Sequence, residues 1–306
     1  MWKIKQNKDS ETGGILSQEY FNLVRGVCHN LINPQQNNKR SYSPKSFNDM
    51  LSNLSPQFSK YESNDSKDLL LFLLQSMHTE LNYLGDEKLK KVPKCNQLIE
   101  NESYNFFAEV NFSLNVSIFS YLFYGIIKSS TTCLSCNSVL YNFQYFQFLS
   151  FPIYNFNNKN FHIYQGFKEY IKPEIMKGDN QCYCKKCKGL KDSKVNSIIF
   201  YTPPYLIINF DYGKDKKYQP LSVVFGEKID LKGFTDEKCK HLTYGLVGVS
   251  THIGSSGNTG HYISYCKDLT NEHWYKFNDS NFSESKFNKV NSNTPYFLIY
   301  KRIDDE

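Results

Sequence analysis

The sequence predicts an α+β fold, with helices concentrated in the first third of the chain and strands in the remainder. Before residue 84, apolar residues recur at the spacing of amphipathic helices. From Tyr104 onward, runs of Tyr, Phe, Ile, Val and Thr alternate with polar turns, which is the pattern of strands. Aromatic residues make up 16% of the chain, and they favour strands. A cleft between the two parts is a natural place for a functional site.

Three helices are expected, at residues 17–32, about 43–55 and 66–83. The third has the strongest signals. Asp65 is a good N-cap, Asp68 lies in the first turn where the helix dipole favours a negative charge, and Gly85 follows the end. Its broad apolar stripe consists of Leu69, Leu70, Leu73, Leu74, Met77 and Leu81.

Eight strands are expected, at about 126–132, 139–149, 195–201, 205–211, 244–250, 261–267, 273–277 and 296–302. Residues 1–14 are polar and are predicted to form a disordered lead, and residues 86–103 a charged connection. The Asn-, Phe- and Tyr-rich segment 153–161 is predicted to be a loop or a ragged strand end.

Charge and hydropathy exclude several classes of protein. The net charge of +6 is spread along the chain without a long basic run, so no nucleic-acid partner is predicted. The longest purely apolar run, Leu69–Leu74, is too short to cross a bilayer, and the polar N-terminus does not resemble a signal peptide. We therefore expect an intracellular protein, cytoplasmic or nuclear, without a membrane span. In that compartment its nine cysteines would serve metal binding or catalysis rather than disulfides.

Two Cys-x-x-Cys pairs predict a metal site. Cys133 and Cys136 form the first pair, and Cys184 and Cys187 the second. Four thiolates at two turns are the ligand set of a structural Zn²⁺ site, which leaves no open position for a substrate. The alternative is a set of buried free thiols. Cys182 lies beside the second pair and is expected to be a bystander.

A histidine after a glycine-rich loop predicts the catalytic site. Strand 244–250 runs into a loop that contains Gly254, Gly257 and Gly260, and His261 opens the next strand. Glycines let the backbone approach an extended peptide closely. Downstream, Asn278 and Asp279 end a strand with side chains that can accept a hydrogen bond from imidazole. A base held by an Asn or Asp is two-thirds of a cysteine or serine triad. The alternative is an ordinary hairpin with a turn-facing histidine, and the other six histidines lack comparable context.

Taken together, these segments resemble the ubiquitin-specific protease family of cysteine deubiquitinases. Residues 64–81 resemble the family's Gln-Asp-Ala-x-Glu-Phe-Leu helix, and residues 180–187 its second zinc knuckle. The most specific matches are the segments 244–262 and 274–280 around the histidine and the asparagine. Further segments of the same order along the chain are 117–125, 148–152 and 202–210.

The resemblance implies a papain-like fold with three parts inside one domain at 15–303. These are a helical thumb at 15–103, zinc-tipped β fingers at 104–200 and a β palm at 201–303. It implies that His261 is the general base, Asn278 its orienting partner and Asp279 an adjacent acceptor. Ubiquitin or ubiquitinated proteins would be the partner. The substrate-binding residues that it implies are Asp65, Asp68, Gly254, Gly257, Gly260 and Tyr262.

Several positions depart from the family pattern. The family's N-terminal Cys box, Gly-Asn-Thr-Cys-Tyr-x-Asn, has no counterpart in the sequence, and the surroundings of Cys28 fit neither the box nor its spacing. Asp68 replaces the family's Glu, and residues 211–213 replace a usual Lys-Arg-Phe. We expect an N-terminally truncated deubiquitinase that is inactive alone. The alternative is a pseudo-deubiquitinase that only binds ubiquitin. A zinc-ribbon nucleic-acid protein would leave the histidine segment unexplained.

Overall fold

The computed structural model describes residues 10–32, 42–59, 64–82, 100–112, 116–156, 160–213, 222–254, 260–291 and 294–303. The helices are α1 (Ile15–Ile32), α2 (Lys45–Leu54), α3 (Ser66–Glu80), α4 (Glu100–Phe112), α5 (Ile118–Phe123), α6 (Ile163–Tyr170) and α7 (Phe287–Val290). Within these ranges, no helix combines the length and the apolar character that a membrane span needs.

The strands belong to four sheets. They are β1 (Gly125–Cys133), β2 (Val139–Phe146), β3 (Phe148–Pro152), β4 (Asn160–His162), β5 (Glu174–Met176), β6 (Cys182–Cys184), β7 (Gly189–Lys191), β8 (Ser193–Tyr201), β9 (Tyr205–Asp211), β10 (Ser222–Val224), β11 (Lys228–Asp230), β12 (Thr243–Ile253), β13 (His261–Lys267), β14 (Trp274–Asn278), β15 (Asn281–Ser285) and β16 (Pro295–Arg302).

The first three helices form a small helical core of their own. Asp65 caps α3 by accepting a hydrogen bond from the backbone N–H of Lys67 at 2.8 Å, which confirms the predicted start of this helix. The apolar faces of α1, α2 and α3 meet in one cluster, so all three expected helices are confirmed. The buried members of that cluster are Leu16, Phe47, Met50, Leu51 and Met77.

A buried carboxylate joins the end of α3 to the start of α1. Glu80 is completely buried and accepts hydrogen bonds from the backbone N–H groups of Leu16, at 3.0 Å, and Ser17, at 2.6 Å. The hydroxyl of Thr12 donates to the same carboxylate. Thr12 and its neighbours at 10–14 form a hydrogen-bonded turn, although they belong to the lead predicted to be disordered. Residues 1–9 lie outside the described ranges.

The helix α4 was not predicted from the sequence. Residues 100–103 were expected in a charged connection and residues from Tyr104 in strands, but 100–112 form α4. Its aromatic content suggests a strand, yet Ser103, Phe107 and Asn111 recur at helical spacing on the less exposed side. Packing of Phe107 against Phe143 and Tyr145 of β2 decides the conformation, because tertiary contacts override intrinsic propensity.

Four strands form the sheet that we call the finger sheet, in the order β2-β1-β8-β5. All its pairings are antiparallel. A separate two-stranded hairpin, β6–β7, extends beyond it between residues 182 and 191. The turn after β1 and the turn between β6 and β7 carry the two Cys-x-x-Cys pairs.

The second large sheet, which we call the palm sheet, has the order β15-β14-β13-β12-β16-β9-β3, with β11 paired to β12. Its central strands confirm the predictions for 205–211, 244–250, 261–267 and 296–302. The predicted strand 139–149 is instead divided near Gln147, because its first part belongs to the finger sheet and β3 to the palm sheet. The main core lies on this sheet and includes Tyr244, Leu298, Tyr300, Leu206 and Phe210.

The segment predicted as a loop or ragged strand at 153–161 contains a short 3-10 turn and the first residues of β4. The helix that follows it, α6, was not predicted. Phe167 of α6 is fully buried and packs edge-on against Phe151 at 5.1 Å between ring centroids. Gly166 lies so close to Phe151 that a Cβ there would come within 2.2 Å of the ring.

Candidate active site and candidate metal centre

Two adjacent strands of the palm sheet bring His261 and Asn278 together. His261 is the first residue of β13 and pairs with Ile253 at the end of β12. Asn278 is the last residue of β14, which pairs with β13 on its other side. The following turn reverses the chain into β15, and Asp279 in that turn has φ +50°. Asp tolerates this left-handed conformation better than most residues, which suits a tight hairpin turn.

The imidazole and the amide are in hydrogen-bond contact. Nε2 of His261 lies 2.6 Å from Oδ1 of Asn278. Because an amide oxygen can only accept, Nε2 carries the proton and Nδ1 is the basic nitrogen of the ring. An Asp279 carboxylate oxygen lies 3.6 Å from the same Nε2, which is too far for a hydrogen bond. The arrangement suits a general base that becomes a general acid.

The ring is accessible, and 45% of the His261 side chain is exposed. Among the described residues, no cysteine sulfur hydrogen-bonds His261. Cys266 lies on the same strand, but five residues along a strand place it on the opposite face and about 16 Å away. The nucleophile that this base would serve is therefore not among the contacts of His261.

Backbone crowding next to the histidine requires glycine at position 260. A Cβ at Gly260 would lie 2.2 Å from Nε2 of His252 and 2.8 Å from the carbonyl oxygen of Ile253. His252 is itself buried, with its ring 4.8 Å from that of Tyr262. Gly254 is exposed in the bend that follows β12, and Gly257 lies outside the described residues.

The N-terminus of α3 is held against the palm sheet beside this hairpin. The hydroxyl of Tyr296, on β16, donates to the carboxylate of Asp65. Tyr262 packs edge-on against Tyr296 at 5.4 Å, and burial together with the charge of Asp65 raises the pKa of both phenols. Asp65 thus joins the helical core to β16 of the palm sheet. The side chain of Asp68 points to solvent, with 55% exposed, and pairs with Lys67 at 3.5 Å.

The four predicted metal ligands come together. The sulfur atoms of Cys133, Cys136, Cys184 and Cys187 all lie within 4.8 Å of one another. Cys136 and Cys184 are 3.6 Å apart, and Cys133 and Cys187 are 4.0 Å apart. A tetrahedron with metal–sulfur bonds of about 2.3 Å has edges of about 3.8 Å, so the spacing fits a four-thiolate site.

Local hydrogen bonds favour thiolate at one of these sulfurs. The Ser138 hydroxyl lies 3.3 Å from the Cys184 sulfur, and the backbone N–H of Cys187 donates to it at 3.4 Å. These hydrogen bonds lower the pKa of Cys184 to about 6. The neighbouring thiols and burial raise the pKa of Cys187 to about 12, as expected where adjacent thiols cannot all ionise without a cation. Cys182 is not a member of the cluster.

Comparison with known proteins decides the family. The family model for ubiquitin carboxyl-terminal hydrolase matches residues 2–300. The chain belongs to this family. Ubiquitin carboxyl-terminal hydrolase 2 of Gallus gallus is 27% identical over 266 residues, which cover 85% of this chain and 74% of that protein. Its counterpart in Homo sapiens is 25% identical over 264 residues, which cover 85% of this chain and 44% of that protein.

Solved structures agree on the fold. A SAGA DUB module of Ubp8, Sgf11, Sus1 and Sgf73 bound to monoubiquitin matches with a TM-score of 0.64 and 19% identity, covering 85% of this chain and 53% of that chain. A related Ubp8 module matches with a TM-score of 0.63 and 21% identity, covering 87% and 56% of the two chains. The chain thus spans about half the length of these solved chains. These likenesses confirm the fold predicted for a ubiquitin carboxyl-terminal hydrolase.

One residue beside the candidate active site was not predicted from the sequence. Tyr296 holds Asp65, yet in the sequence it is one aromatic residue among several in the last predicted strand. Its only signal is alternation, since Tyr296, Leu298 and Tyr300 share one face of β16. A hydroxyl that meets a helix cap more than two hundred residues away in sequence requires the tertiary structure.

Proposed function

We propose that this member of the ubiquitin carboxyl-terminal hydrolase family is a cysteine-type deubiquitinase that cleaves the bond after the C-terminal Gly-Gly of ubiquitin. The observation that carries the proposal is the contact of 2.6 Å between His261 and Asn278, on the accessible end of the β12–β13 hairpin. Family membership supplies the substrate class, since the relatives are named as ubiquitin carboxyl-terminal hydrolases.

In the proposed reaction, His261 takes the proton of a cysteine thiol through Nδ1, and the thiolate attacks the carbonyl carbon of the last ubiquitin glycine. The resulting imidazolium is stabilised by Asn278 and by the nearby charge of Asp279. His261 then gives its proton to the leaving lysine amine as the carbon–nitrogen bond breaks and a thioester remains. Water, deprotonated by the same imidazole, hydrolyses the thioester and releases the thiol.

The loop before His261 supports selection of a diglycine tail. Gly260 leaves no room for a side chain between its backbone and His252, and Gly254 starts the same loop. Beside this hairpin, Tyr262 packs against Tyr296, whose hydroxyl donates to Asp65. The resemblance to the ubiquitin-specific proteases implies a narrow passage for the diglycine tail at this loop, and glycines let two backbones approach each other closely.

The nucleophile is proposed to come from a segment N-terminal to α1 that carries the family's Cys box. Two observations support this location. No described cysteine contacts His261, and His261 remains accessible to an approaching sulfur. Histidine and asparagine can orient and transfer protons, but covalent catalysis needs a nucleophile beside them.

The four cysteines are proposed to bind one structural Zn²⁺. Cys133 and Cys136 would hold it from the end of β1, and Cys184 and Cys187 from the β6–β7 hairpin. The metal would tie two turns together and, with four protein ligands, supply no catalytic position. A protein that acts on ubiquitin conjugates with reduced cysteines would work in the cytoplasm or the nucleus.

Two measurements test the proposal. The 306-residue chain should bind ubiquitin in a calorimetric titration, and it should not be labelled by ubiquitin that carries a C-terminal electrophile. A form extended by the Cys box should be labelled, and His261→Ala should suppress that labelling. If the extended form binds ubiquitin without being labelled, the protein is a ubiquitin-binding pseudo-deubiquitinase. If the 306-residue chain is labelled, the labelled cysteine replaces our proposed nucleophile.

A further inference from the structure

The palm sheet ends in an edge strand beside the candidate active site. β15 follows β14 through the turn that contains Asp279, and Asn281 at its start pairs with Asn278 across that turn. Among the strands that the structure describes, none pairs with the other side of β15. An unpaired edge offers its N–H and C=O groups to another chain. This edge begins opposite Asn278, the residue that contacts His261.

The backbone groups of Phe282 and Glu284 point toward the free side of β15. A two-residue turn makes its flanking residues, Asn278 and Asn281, a hydrogen-bonded pair. Hydrogen-bonded and non-hydrogen-bonded pairs alternate along antiparallel strands, so Phe282 and Glu284 direct their N–H and C=O groups away from β14. Residues 281–284 are all exposed, so an added strand can reach these groups.

Three aromatic side chains lie on one face of this edge. Phe282 is opposite Phe277 on β14, and their ring centroids are 5.5 Å apart. The ring of Tyr275 stacks on Phe282 at 5.2 Å. Phe277 and Phe282 are nevertheless 43% and 62% exposed. Ser264 and Cys266, which share this face on β13, are exposed as well, so the face is open to solvent.

The strand lacks the features that commonly block pairing at a sheet edge. Asn281–Ser285 contains no proline, lysine or arginine, and its register with β14 has no bulge. Its one charged side chain, Glu284, lies 3.2 Å from Nδ1 of His273, next to the start of β14. Unpaired backbone groups beside an aromatic face are the elements of strand addition, in which a peptide extends a sheet.

The length of the edge favours a short peptide segment over a second copy of this chain. The five residues of β15 span about 17 Å. A stable dimer buries about 800 Å² on each partner, and a single five-residue strand supplies only part of that area. A peptide that binds transiently needs less.

We propose that β15 binds an extended apolar segment of the protein from which ubiquitin is removed, an inference that rests on the proposed function. His261 has β12 on one side and β14 on the other. The ubiquitin tail is assigned to the loop between β12 and β13, which leaves the β14–β15 side to the conjugated protein. Apolar side chains of the bound segment contact Phe277 and Phe282.

Distances determine which part of the conjugated protein can pair with β15. A strand added to β15 lies three strand spacings, about 14 Å, from β13, which carries His261. A lysine side chain of about 6 Å followed by three extended residues spans about 16 Å. The paired segment therefore begins three or more residues away from the modified lysine.

The test compares three substrates of the extended, nucleophile-bearing form. One is ubiquitin with a fluorogenic C-terminal group, which has no leaving peptide. The others are ubiquitin joined to the lysine of a peptide with a Val- and Thr-rich segment four residues away, and the same conjugate with two prolines in that segment. The Val/Thr conjugate should have a kcat/KM at least about fivefold higher, because proline cannot donate to a ladder.

Matched variants locate the effect. Phe282→Ala should reduce the preference for the Val/Thr conjugate to less than about twofold and leave cleavage of the fluorogenic substrate unchanged. Glu284→Pro removes an outward N–H and should reduce the preference in the same way. Phe21→Ala removes a phenylalanine of α1 that is 52% exposed and should keep the preference. Thermal unfolding shows whether each variant remains folded.

Peptide binding to the 306-residue chain gives a second readout. The probes are the labelled Val/Thr and proline peptides, each with Gly-Gly joined to the lysine Nζ. Fluorescence anisotropy should show at least about fivefold tighter binding of the Val/Thr peptide. A saturating concentration of that peptide should also slow hydrogen exchange at the Phe282 and Glu284 amides, because they become donors in the ladder.

The outcomes separate this inference from the proposed function. An extended form that does not cleave the fluorogenic substrate would count against the proposed function, and the two peptides would then decide whether β15 binds an extended segment. Equal affinity for the two peptides, equal cleavage of the two conjugates, or an equal loss on all three substrates in Phe282→Ala would overturn the inference. A dimer that Phe282→Ala dissociates would assign the edge to a second copy and would also overturn it.

Discussion

At the scale of single residues, the candidate active site depends on one acceptor atom. Oδ1 of Asn278 determines which nitrogen of His261 carries the proton, and Asp279 adds a negative charge without a hydrogen bond. An alanine at position 278 would free the imidazole to rotate and to adopt either tautomer. Aspartate at this position would still accept from Nε2.

Asn278→Ala should therefore lower the kcat/KM of the extended, nucleophile-bearing form on a fluorogenic ubiquitin substrate by about tenfold to a thousandfold. Asn278→Asp should retain more activity than Asn278→Ala, because it keeps the acceptor. Ubiquitin affinity should be similar in both variants. An alanine variant with unchanged kcat/KM would show that Asn278 does not position the base.

A second residue-scale prediction concerns Gly260. The alanine methyl would meet the Ile253 carbonyl oxygen at 2.8 Å, and this backbone atom cannot move without disturbing the β12–β13 pairing. Gly260→Ala should lower the free energy of unfolding by about 1–3 kcal/mol, measured by urea denaturation. Gly189→Ala is the control, because nothing lies within 4 Å of a Cβ there. Equal stability of the two variants would contradict the close approach.

At the scale of elements, Glu80 connects two helices through backbone groups. Helices leave their first N–H groups without partners inside the helix, and the Glu80 carboxylate receives two from the start of α1. It therefore caps α1 from the end of α3, across more than sixty residues of sequence. The anionic charge also suits the N-terminal end of a helix dipole.

Glu80→Ala should destabilise the protein by about 3 kcal/mol, because it leaves a buried backbone N–H of Leu16 without an acceptor. Glu80→Gln keeps an acceptor oxygen and should cost less. Thermal unfolding followed by circular dichroism measures both. Glu109→Ala, on the exposed side of α4, is the matched control and should change stability by no more than about 0.5 kcal/mol.

The cysteine cluster yields a second element-scale prediction. The purified protein should contain about one equivalent of zinc by mass spectrometry. Cys184→Ser should lose that metal, whereas Cys182→Ser should keep it, since Cys182 lies outside the cluster. After chelation, trypsin should cleave first at the lysines of the β6–β7 hairpin. A folded, protease-resistant protein without metal would contradict the four-thiolate site.

At the scale of the whole molecule, one charge network joins three parts of the fold. Lys128, on β1 of the finger sheet, donates to Asp236 and lies 3.3 Å from Glu100 at the start of α4. Asp236 lies in the connection that follows β11, a strand of the palm sheet, and its backbone N–H donates to the Ile199 carbonyl at 2.8 Å. The network thus holds α4 and the finger sheet to the palm sheet.

The pKa shifts in this network determine the pH range over which it stabilises the protein. Burial is the largest single influence on Asp236 and opposes its ionisation, but the hydrogen bonds from the Lys128 ammonium and the Lys238 backbone, together with the charges of both lysines, outweigh burial and lower the Asp236 pKa. A lowered carboxyl pKa contributes stability above about pH 4 that is lost as the pH falls through the folded value. Burial would lower the Lys128 pKa, but its carboxylate partners raise it. The stability that Lys128 contributes is therefore fully present below about pH 10 and is lost as the pH rises through its raised pKa.

Lys128→Ala should cost about 3 kcal/mol at neutral pH, because it leaves a mostly buried carboxylate without its cation. The difference from the unmodified protein should shrink below about pH 4, where Asp236 becomes neutral. Urea denaturation at several pH values measures it. Lys172→Ala breaks an exposed pair with Glu169 and should cost less than about 1 kcal/mol at any pH. A pH-independent cost at Lys128 would contradict the network.

The sequence alone determined the elements whose signals are local. The start of α3 follows from the cap at Asp65, the strand at 261–267 follows from its residue types, and the two cysteine pairs identified a ligand set from their spacing. The contact between His261 and Asn278 was also predicted. The segments around both residues resemble segments of the family that occur in the same order along the chain.

The tertiary structure decided the features that depend on distant partners. α4 is helical although its aromatic residues suggest a strand, because Phe107 packs on β2. The predicted strand at 139–149 divides between two sheets, and Tyr296 and Glu80 find their partners across more than sixty residues of sequence. Helix caps, turns and the spacing of metal ligands depend on residues that are close in sequence, so the sequence predicts them. Packing and buried hydrogen bonds depend on residues that are distant in sequence and form only when the chain folds.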